Sequence, residues 1–311
     1  MIRCKNLLSA GAFLFASTTF AHAEAPKVVA SFKPIHSLVA AIMQGVGAPY
    51  LMVKGSASPH DYVMTPADAE ALQDAGAVFW LGHEFETFLD KPIEALGGKA
   101  VIVSFEESKG IARLPLREGG AFDAHAHEGE AAHADEAGHE EFDQHTWMDP
   151  RNAKILVAEI EKTLSAKDPA NSAAYKANAA KTSSALDALD AELAALLTPV
   201  KGKPFITFHD AFQYFEERYG VEASGSITVN PDAAPGAARV TELREKVKDL
   251  GVICVFAEPN FEPKIINAVI EGSSSKVGTL DPEASALTEG PELYFQSLRG
   301  IATSMKSCLG Q

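Results

Sequence analysis

The sequence predicts an α/β protein with two lobes, in each of which helices flank a four-stranded, mainly parallel sheet. Two observations predict the lobes: short apolar runs alternate with amphipathic stretches up to residue 104, and the same alternation returns after residue 204. A helical segment with a leucine stripe lies between them and predicts one long helix that joins the lobes. Strands that alternate with helices in this way pair in parallel through right-handed crossovers.

The first element, residues 1–23, is typical of a secretory signal peptide. Arg3 and Lys5 give it a positive start, residues 7–20 are apolar but too short to cross a bilayer, and residues 21–23 form a small-residue cleavage site. We therefore expect a mature chain that begins near Glu24 and works outside the cytoplasm. A buried N-terminal helix is the alternative, and it is disfavoured because the stretch has no polar face.

The balance of charges constrains the partners. The formal net charge is −15 at pH 7, and removal of Arg3 and Lys5 with the leader makes the mature chain more negative still. Such a charge disfavours nucleic acid and anionic membranes as partners and is compatible with cations.

The first lobe is predicted to span residues 24–170. Its four strands are residues 27–31, 50–53, 77–81 and 100–104. Its helices are residues 37–44, 65–75, 86–96 and 150–166. Thr65 is the expected N-cap of the second helix, because Pro66 suits the first helical position and Asp68 the first turn.

The joining helix is predicted at residues 171–198, where Leu186, Leu189 and Leu193 recur at helical spacing. The second lobe then spans residues 199–311. Its predicted strands are residues 205–208, 222–227, 252–257 and 276–280, and its predicted helices are residues 209–219, 240–249, 263–271 and 292–308. Asp210 and Gln213 have the spacing of a capping box at the start of the first of these helices.

Side chains that can bind a metal follow three of the predicted strands. They are His60, His209 and Asp281, and ligands of parallel α/β sheets bind outside the carboxyl ends of strands. We predict that His60, His145 and His209 meet at a metal between the lobes, with Asp281 as the fourth ligand. Three imidazoles and one carboxylate suit tetrahedral zinc. Taken singly, a histidine after a strand is more often a helix cap or a surface group, and no His-Glu-x-x-His motif occurs.

A histidine-rich segment, residues 118–144, interrupts the first lobe. From Glu118 to Asp143 it contains nine acids and no Lys or Arg, with too few large apolar residues to fold alone, so we expect it to be mobile. Its histidines are His125, His127, His133 and His139. We expect weak additional zinc sites there, and a solvated low-complexity segment is the alternative.

Two cysteines, Cys254 and Cys308, remain after removal of the leader. In an oxidising compartment such an even pair predicts a disulfide. The alternative is a buried thiol in the strand at residues 252–257 and a free thiol near the end of the chain.

Four short motifs carry a resemblance to a known family. They are Ser58-Pro59-His60-Asp61-Tyr62, His145-Thr146-Trp147-Met148-Asp149-Pro150, Phe208-His209-Asp210-Ala211-Phe212 and Gly278-Thr279-Leu280-Asp281-Pro282. In this order, and over essentially the whole mature chain, they resemble the ligand motifs of the metal-binding solute-binding proteins of ABC importers, cluster A-I. The histidine-rich segment and the cysteine pair resemble the zinc-specific branch.

The resemblance implies both a fold and a function. In that family two parallel lobes are joined by one long rigid helix and hold the metal between them. The implied function is capture of Zn²⁺ as a transported ligand in the periplasm, by a monomer without catalytic activity, and delivery to the membrane permease of an ABC zinc importer. The implied ligands are His60, His145, His209 and Asp281, and His209 favours zinc because the manganese branch commonly has Glu there.

Three other functions stay open from the sequence. A manganese- or iron-binding protein would share the fold. A secreted zinc hydrolase needs an open metal position and a nearby base, whereas four protein ligands leave none open and no Glu adjoins a predicted ligand histidine. A surface adhesin with bound metal is disfavoured because Cys4 lies in the positive start of the leader, away from the cleavage site.

Overall fold

Two parallel sheets of four strands each form the framework of the molecule. The structure, a computed structural model, describes residues 25–117, 121–122, 142–228, 231, 235–259 and 263–310. The predicted leader and the four histidines of the segment at residues 118–144 lie outside the described residues. Within the described ranges, no helix combines the length and the apolar character that a membrane span requires.

The first sheet has the strand order β2-β1-β3-β4, with parallel pairing throughout. Its strands are β1 (Val28–Ala30), β2 (Tyr50–Leu51), β3 (Ala77–Trp80) and β4 (Val101–Ser104). Its helices are α1 (Lys33–Ile42), α2 (Pro66–Asp74) and α3 (Asp90–Leu96). Helix α2 begins as predicted, because Thr65 and Asp68 form a reciprocal capping box. Helix α1 begins at Lys33, earlier than predicted, since Pro34 suits its first turn.

The second sheet repeats this arrangement in the order β6-β5-β7-β8, again fully parallel. Its strands are β5 (Phe205–His209), β6 (Gly225–Thr228), β7 (Cys254–Ala257) and β8 (Lys276–Thr279). Its helices are α6 (Gln213–Tyr219), α7 (Ala237–Asp249), α8 (Pro263–Ile270) and α9 (Leu293–Leu309). The predicted helix start at His209 was wrong: strand β5 continues through His209, and Phe212 is the N-cap of α6. Asp210 does not cap this helix, because its carboxylate is engaged by Arg117.

Two helices connect the sheets. They are α4 (Pro150–Lys167) and α5 (Ser172–Leu197). Helix α5 has 26 residues and is therefore about 40 Å long. Its buried stripe includes Leu186, Leu189 and Leu193, as the leucine spacing predicted. The predicted fold class, two parallel lobes joined by one long helix, is confirmed.

The main hydrophobic core runs through both lobes, and each lobe also has a smaller buried cluster of its own. The main core contains Phe79 of the first sheet, Phe205 and Phe256 of the second, and Leu186 and Leu193 of α5. Burial of this continuous apolar surface is the main force that holds the two lobes against the joining helix.

The predicted disulfide is confirmed. Cys254 of β7 and Cys308 of α9 are bonded, and 54 positions of the chain separate them. Cys254 is fully buried and Cys308 nearly so, so the bond fastens the last helix to the second sheet.

Candidate metal centre

Three predicted histidines converge between the lobes. Among the described residues, His60, His145 and His209 each offer a ligand atom, and these atoms lie within 4.8 Å of one another. The Nε2 atoms of His145 and His209 are 3.3 Å apart. The His60 ring lies 5.9 Å from that of His145 and 5.8 Å from that of His209, measured between centroids. The structure thus brings together the three imidazoles that the sequence singled out.

Each histidine is placed by the end of a regular element. His209 is the last residue of β5, and His60 lies in the loop that follows β2. His145 directly precedes a short 3-10 turn, Thr146–Met148, which leads into α4. Because the carboxyl ends of parallel strands face the cleft, residues far apart in the chain reach the same point.

The centre is shielded from water, which favours the neutral form of His60. His209 is 0% exposed and His145 is 8% exposed. Burial lowers the pKa of His60 well below its ordinary value, and the neighbouring His209 and His145 lower it further. Nε2 of His60 is buried and has no hydrogen-bond partner among the described residues. A deprotonated nitrogen without a partner is what a metal requires of a histidine.

Carboxylates fix the orientation of two of the rings. Glu258 Oε1 accepts from Nδ1 of His209 at 2.6 Å and from its backbone N–H at 3.2 Å. Asp143 Oδ1 holds His145 in the same way, at 2.7 Å from Nδ1 and 2.9 Å from the backbone nitrogen. A hydrogen bond at Nδ1 leaves Nε2 of each ring for the centre.

The charge of Glu258 also acts on its histidine. Burial lowers the pKa of His209, but attraction to Glu258, the hydrogen bond with it and the charges of Glu283 and Asp210 together outweigh burial, so the pKa is raised overall. Neither Glu258 nor Asp143 was predicted from the sequence. Glu258 directly follows β7, which is the same strand-end signal that pointed to the histidines.

The structure does not bring Asp281 into the group of three. Its carboxylate accepts from the backbone N–H of Ser285 at 2.9 Å and of Ala286 at 3.0 Å, which closes a turn. The acid that faces the histidines is Glu283, whose Oε1 lies 3.7 Å from Nε2 of His60. Glu283 lies in an irregular loop, and its only sequence signal is its position two residues after Asp281.

Aromatic side chains form the apolar wall of the centre. The Phe85 ring lies 4.6 Å from His60 and 5.6 Å from His145, centroid to centroid. Trp147 lies 5.2 Å from His145 and donates from Nε1 to the backbone oxygen of Pro282 at 3.2 Å. Tight packing of rigid rings holds the imidazoles in one orientation.

His83 also follows a strand but lies apart from the centre. Its Nδ1 is 2.6 Å from Glu106 and its Nε2 is 3.0 Å from Glu84, and its side chain is 60% exposed. It is a surface histidine held by two acids.

The two ends of the histidine-rich segment, and Arg117 just before it, are fastened to the second lobe. Arg117 is paired with Asp210, the neighbour of His209, and with Glu216 at 2.5 Å. The backbone oxygen of Ala121 accepts from the backbone N–H of Ser226 at 3.2 Å. At the C-terminal end of the segment, Tyr214 donates its hydroxyl proton to the backbone oxygen of Asp143 at 2.6 Å. These contacts hold His145, before its 3-10 turn, beside His209 at the end of β5.

A centre of buried histidines between two parallel lobes on one long helix defines a metal-binding solute-binding protein. The family model for ZnuA, zinc-uptake complex component A, periplasmic, matches residues 28–308. The chain belongs to this family. Its description is that of a periplasmic uptake component, which is not a class of enzymes.

Individual relatives agree with the family. The chain is 48% identical to the high-affinity zinc uptake system protein ZnuA of Brucella suis biovar 1 (strain 1330), over 98% of each chain. It is 25% identical to the solved Zn(II)-bound ZnuA-like domain of Streptococcus pneumoniae AdcA, with a TM-score of 0.71 and coverage of 92% of this chain and 100% of that one. The periplasmic zinc binding protein TroA from Treponema pallidum, 22% identical with a TM-score of 0.76 over 92% of this chain and 99% of that one, shares the fold.

Proposed function

We propose that this protein captures Zn²⁺ in the periplasm and delivers it to the membrane permease of an ABC zinc importer. The observation that carries the proposal is the group of His60, His145 and His209, with ligand atoms within 4.8 Å of one another. Three neutral imidazoles are borderline-soft donors that suit zinc. The family and the names of the relatives support the same ion.

Glu283, in place of the predicted Asp281, is proposed as the fourth ligand. Its carboxylate is the one next to His60, whereas that of Asp281 is taken up by backbone N–H groups. Three imidazoles and one carboxylate complete a tetrahedral shell and leave no open position for a reactive water. Such a closed shell favours capture of the ion over hydrolytic chemistry.

The surroundings of the site agree with a role outside the cytoplasm. The bond between Cys254 and Cys308 is of the kind that persists in oxidising compartments. The charge pattern of residues 1–23 is that of a cleaved leader. We propose that the protein acts there as a monomer.

The accessory part of the proposal concerns His125, His127, His133 and His139. Their support is the density of histidines and acids in this stretch of sequence. We expect them to add weak zinc sites and the main centre to be independent of them. Deletion of residues 123–141 keeps Arg117, Ala121 and Asp143, which fasten the flanking chain, and should leave one tight site per molecule.

Metal analysis after equilibrium dialysis tests the proposal. We expect one tightly bound zinc per chain, and weaker binding in His60→Ala and in His209→Ala. His83→Ala is the matched control, because its ring is held by two acids away from the centre, and it should bind as the unchanged protein does.

Three results would overturn the proposal. One is wild-type zinc binding by His60→Ala or His209→Ala. A tight preference for manganese or iron in the same dialysis would identify a binder of a different ion. Zinc-dependent turnover of esters or peptides would identify a hydrolase.

A further inference from the structure

The loop between β8 and α9 brings Glu283 to the centre. Asp281 closes its turn through the N–H groups of Ser285 and Ala286, and Ala284 has a φ of 57°, a conformation that L-residues rarely adopt. A non-glycine residue in this conformation persists only where its surroundings hold it there.

Lys33, which belongs to the first lobe, holds this loop of the second lobe in place. Its Nζ donates to the backbone oxygens of Ala284 at 3.3 Å, Ser285 at 2.7 Å and Leu287 at 2.8 Å. The ammonium group has three donors, and all three are used on this one loop. Lys33 is the first residue of α1 and 5% exposed, so it is a buried cation at the contact between the lobes.

We propose that Lys33 is a positioning residue for zinc capture: it clamps the loop of residues 281–287 so that the carboxylate of Glu283 faces His60. The inference rests on the proposed function, since it concerns how the fourth ligand is placed. Trp147 supports the clamp by donating to the backbone oxygen of Pro282 at 3.2 Å. Both donors belong to the first lobe, so Glu283 is held in register with His60 although it comes from the second half of the chain.

A lysine is suited to this task because it is charged. Burial lowers the pKa of Lys33, and the negative charges of Asp281 and Glu289 offset only part of this effect, so the pKa is lowered overall. A buried cation needs hydrogen-bond acceptors, and a loop of outward-facing carbonyl groups needs donors. An apolar side chain such as Met would fill the same space but leave these carbonyls without their donor.

A double-mutant cycle in the full mature protein tests the proposal, with zinc affinity measured by competition with a chromophoric chelator. Glu283→Gln should weaken zinc binding by at least about 10- to 100-fold, the usual effect of altering a residue that only supports a ligand. Lys33→Met should weaken it by a similar factor. The double variant should be no weaker than Glu283→Gln alone, because the two residues act as one unit.

Hydrogen exchange of the zinc-free protein gives a second readout. The backbone N–H groups of Ser285 and Ala286 should exchange faster in Lys33→Met than in the unchanged protein. Lys27→Met is the matched control: it removes the same charge from the same lobe, where Lys27 pairs with Asp74 at the surface. Should Lys33→Met not fold, Lys33→Gln takes its place, with the same expected loss.

Wild-type zinc affinity in Lys33→Met or Lys33→Gln would overturn the proposal, as would losses that simply add in the double variant. These outcomes differ from a failure of the proposed function. If His60→Ala and Glu283→Gln both bind zinc normally, the proposed centre is wrong. If His60→Ala and Glu283→Gln weaken zinc binding and Lys33→Met does not, the proposed centre stands and only the proposed role of Lys33 is wrong.

Discussion

Replacement of Glu258 by Gln isolates the contribution of a buried charge to zinc binding. Glu258 accepts two hydrogen bonds from His209, at 2.6 Å from Nδ1 and 3.2 Å from the backbone nitrogen. Gln has the same shape and an oxygen acceptor, so the variant keeps a neutral hydrogen bond and loses the charge. The change therefore tests electrostatics more than packing.

The size of the effect follows from the contact. A hydrogen bond to a charged group contributes about 1.5–3 kcal/mol, and loss of a group that orients a metal-bound histidine weakens affinity by about 10- to 100-fold. Glu258 is 5% exposed, so solvent screens the interaction little. At alkaline pH, we expect Glu258→Gln to bind zinc about 10- to 100-fold more weakly than the unchanged protein does.

The pH dependence should change as well. The pKa of His209 is raised above its ordinary value of 6.5, so below the raised pKa zinc must displace a proton and binding weakens about tenfold per pH unit. Glu258→Gln removes the two largest causes of the rise, and the remaining attraction to Glu283 and Asp210 is left to oppose burial, which lowers the pKa. Binding by the variant should therefore begin to weaken at a lower pH than binding by the unchanged protein.

The zinc-free protein gives an independent check on the sign. A histidine whose folded pKa is raised contributes stability below its unfolded pKa, and this contribution is lost as the pH rises through the folded value. The unfolding free energy lost in Glu258→Gln should therefore be larger near pH 6 than near pH 8.

Chelator competition between about pH 6 and about pH 8, together with urea unfolding at both ends of this range, measures these effects. Glu84→Gln is the matched control, because Glu84 lies 3.0 Å from the exposed His83 and outside the centre. An affinity and a pH profile of Glu258→Gln that match those of Glu84→Gln would refute the reasoning.

Three further substitutions probe stability, each measured by urea unfolding. Burial raises the pKa of Glu86 from 4.5 to about 8, so its ionisation destabilises the fold, and Glu86→Gln should gain relative stability as the pH rises between these values. Joint replacement of Cys254 and Cys308 by Ala opens a loop of 54 residues and should lower the unfolding free energy by about 4 kcal/mol. Arg117→Met leaves two acids of the second lobe without their cation and should lower it by about 3–5 kcal/mol.

Controls are available for each substitution. Reduction of the unchanged protein should reproduce the loss in the cysteine variant. Arg218→Met removes a more exposed cation, whose side chain is 30% exposed against 18% for that of Arg117, and should lower the unfolding free energy less. These expectations would be contradicted if the unfolding free energy of Glu86→Gln differed from that of the unchanged protein by the same amount at every pH. Equal losses of unfolding free energy in Arg117→Met and Arg218→Met would also contradict them.

The features that could be predicted from the sequence are those with a periodic pattern or a local motif at the end of a helix or strand. Strand and helix positions follow from apolar periodicity, and the capping box of Thr65 and Asp68 is a local motif. His60 and His209 were predicted because each follows a strand, where parallel sheets place their ligands. The convergence of these side chains is a consequence of topology, which the order of elements determines.

The remaining contacts could not be predicted because they join distant segments without periodic signal. Lys33 contacts carbonyls more than 250 positions away in the chain. Nothing local distinguishes Asp281, which closes a turn, from Glu283, which faces the histidines. The difference depends on a strained residue, Ala284, and on a cation from the other lobe.

The continuous core has a consequence for how the chain unfolds. Because side chains of both sheets pack in one cluster with α5, neither lobe can lose its contacts with this shared core while the other keeps them. Heating should therefore give a single calorimetric transition, in which the enthalpy from the peak area equals that from its width. Zinc bound in the cleft then stabilises the parts of the molecule far from the site as much as its own ligands. The unfolding free energy rises by about 2.7 kcal/mol when free zinc is a hundredfold above its dissociation constant.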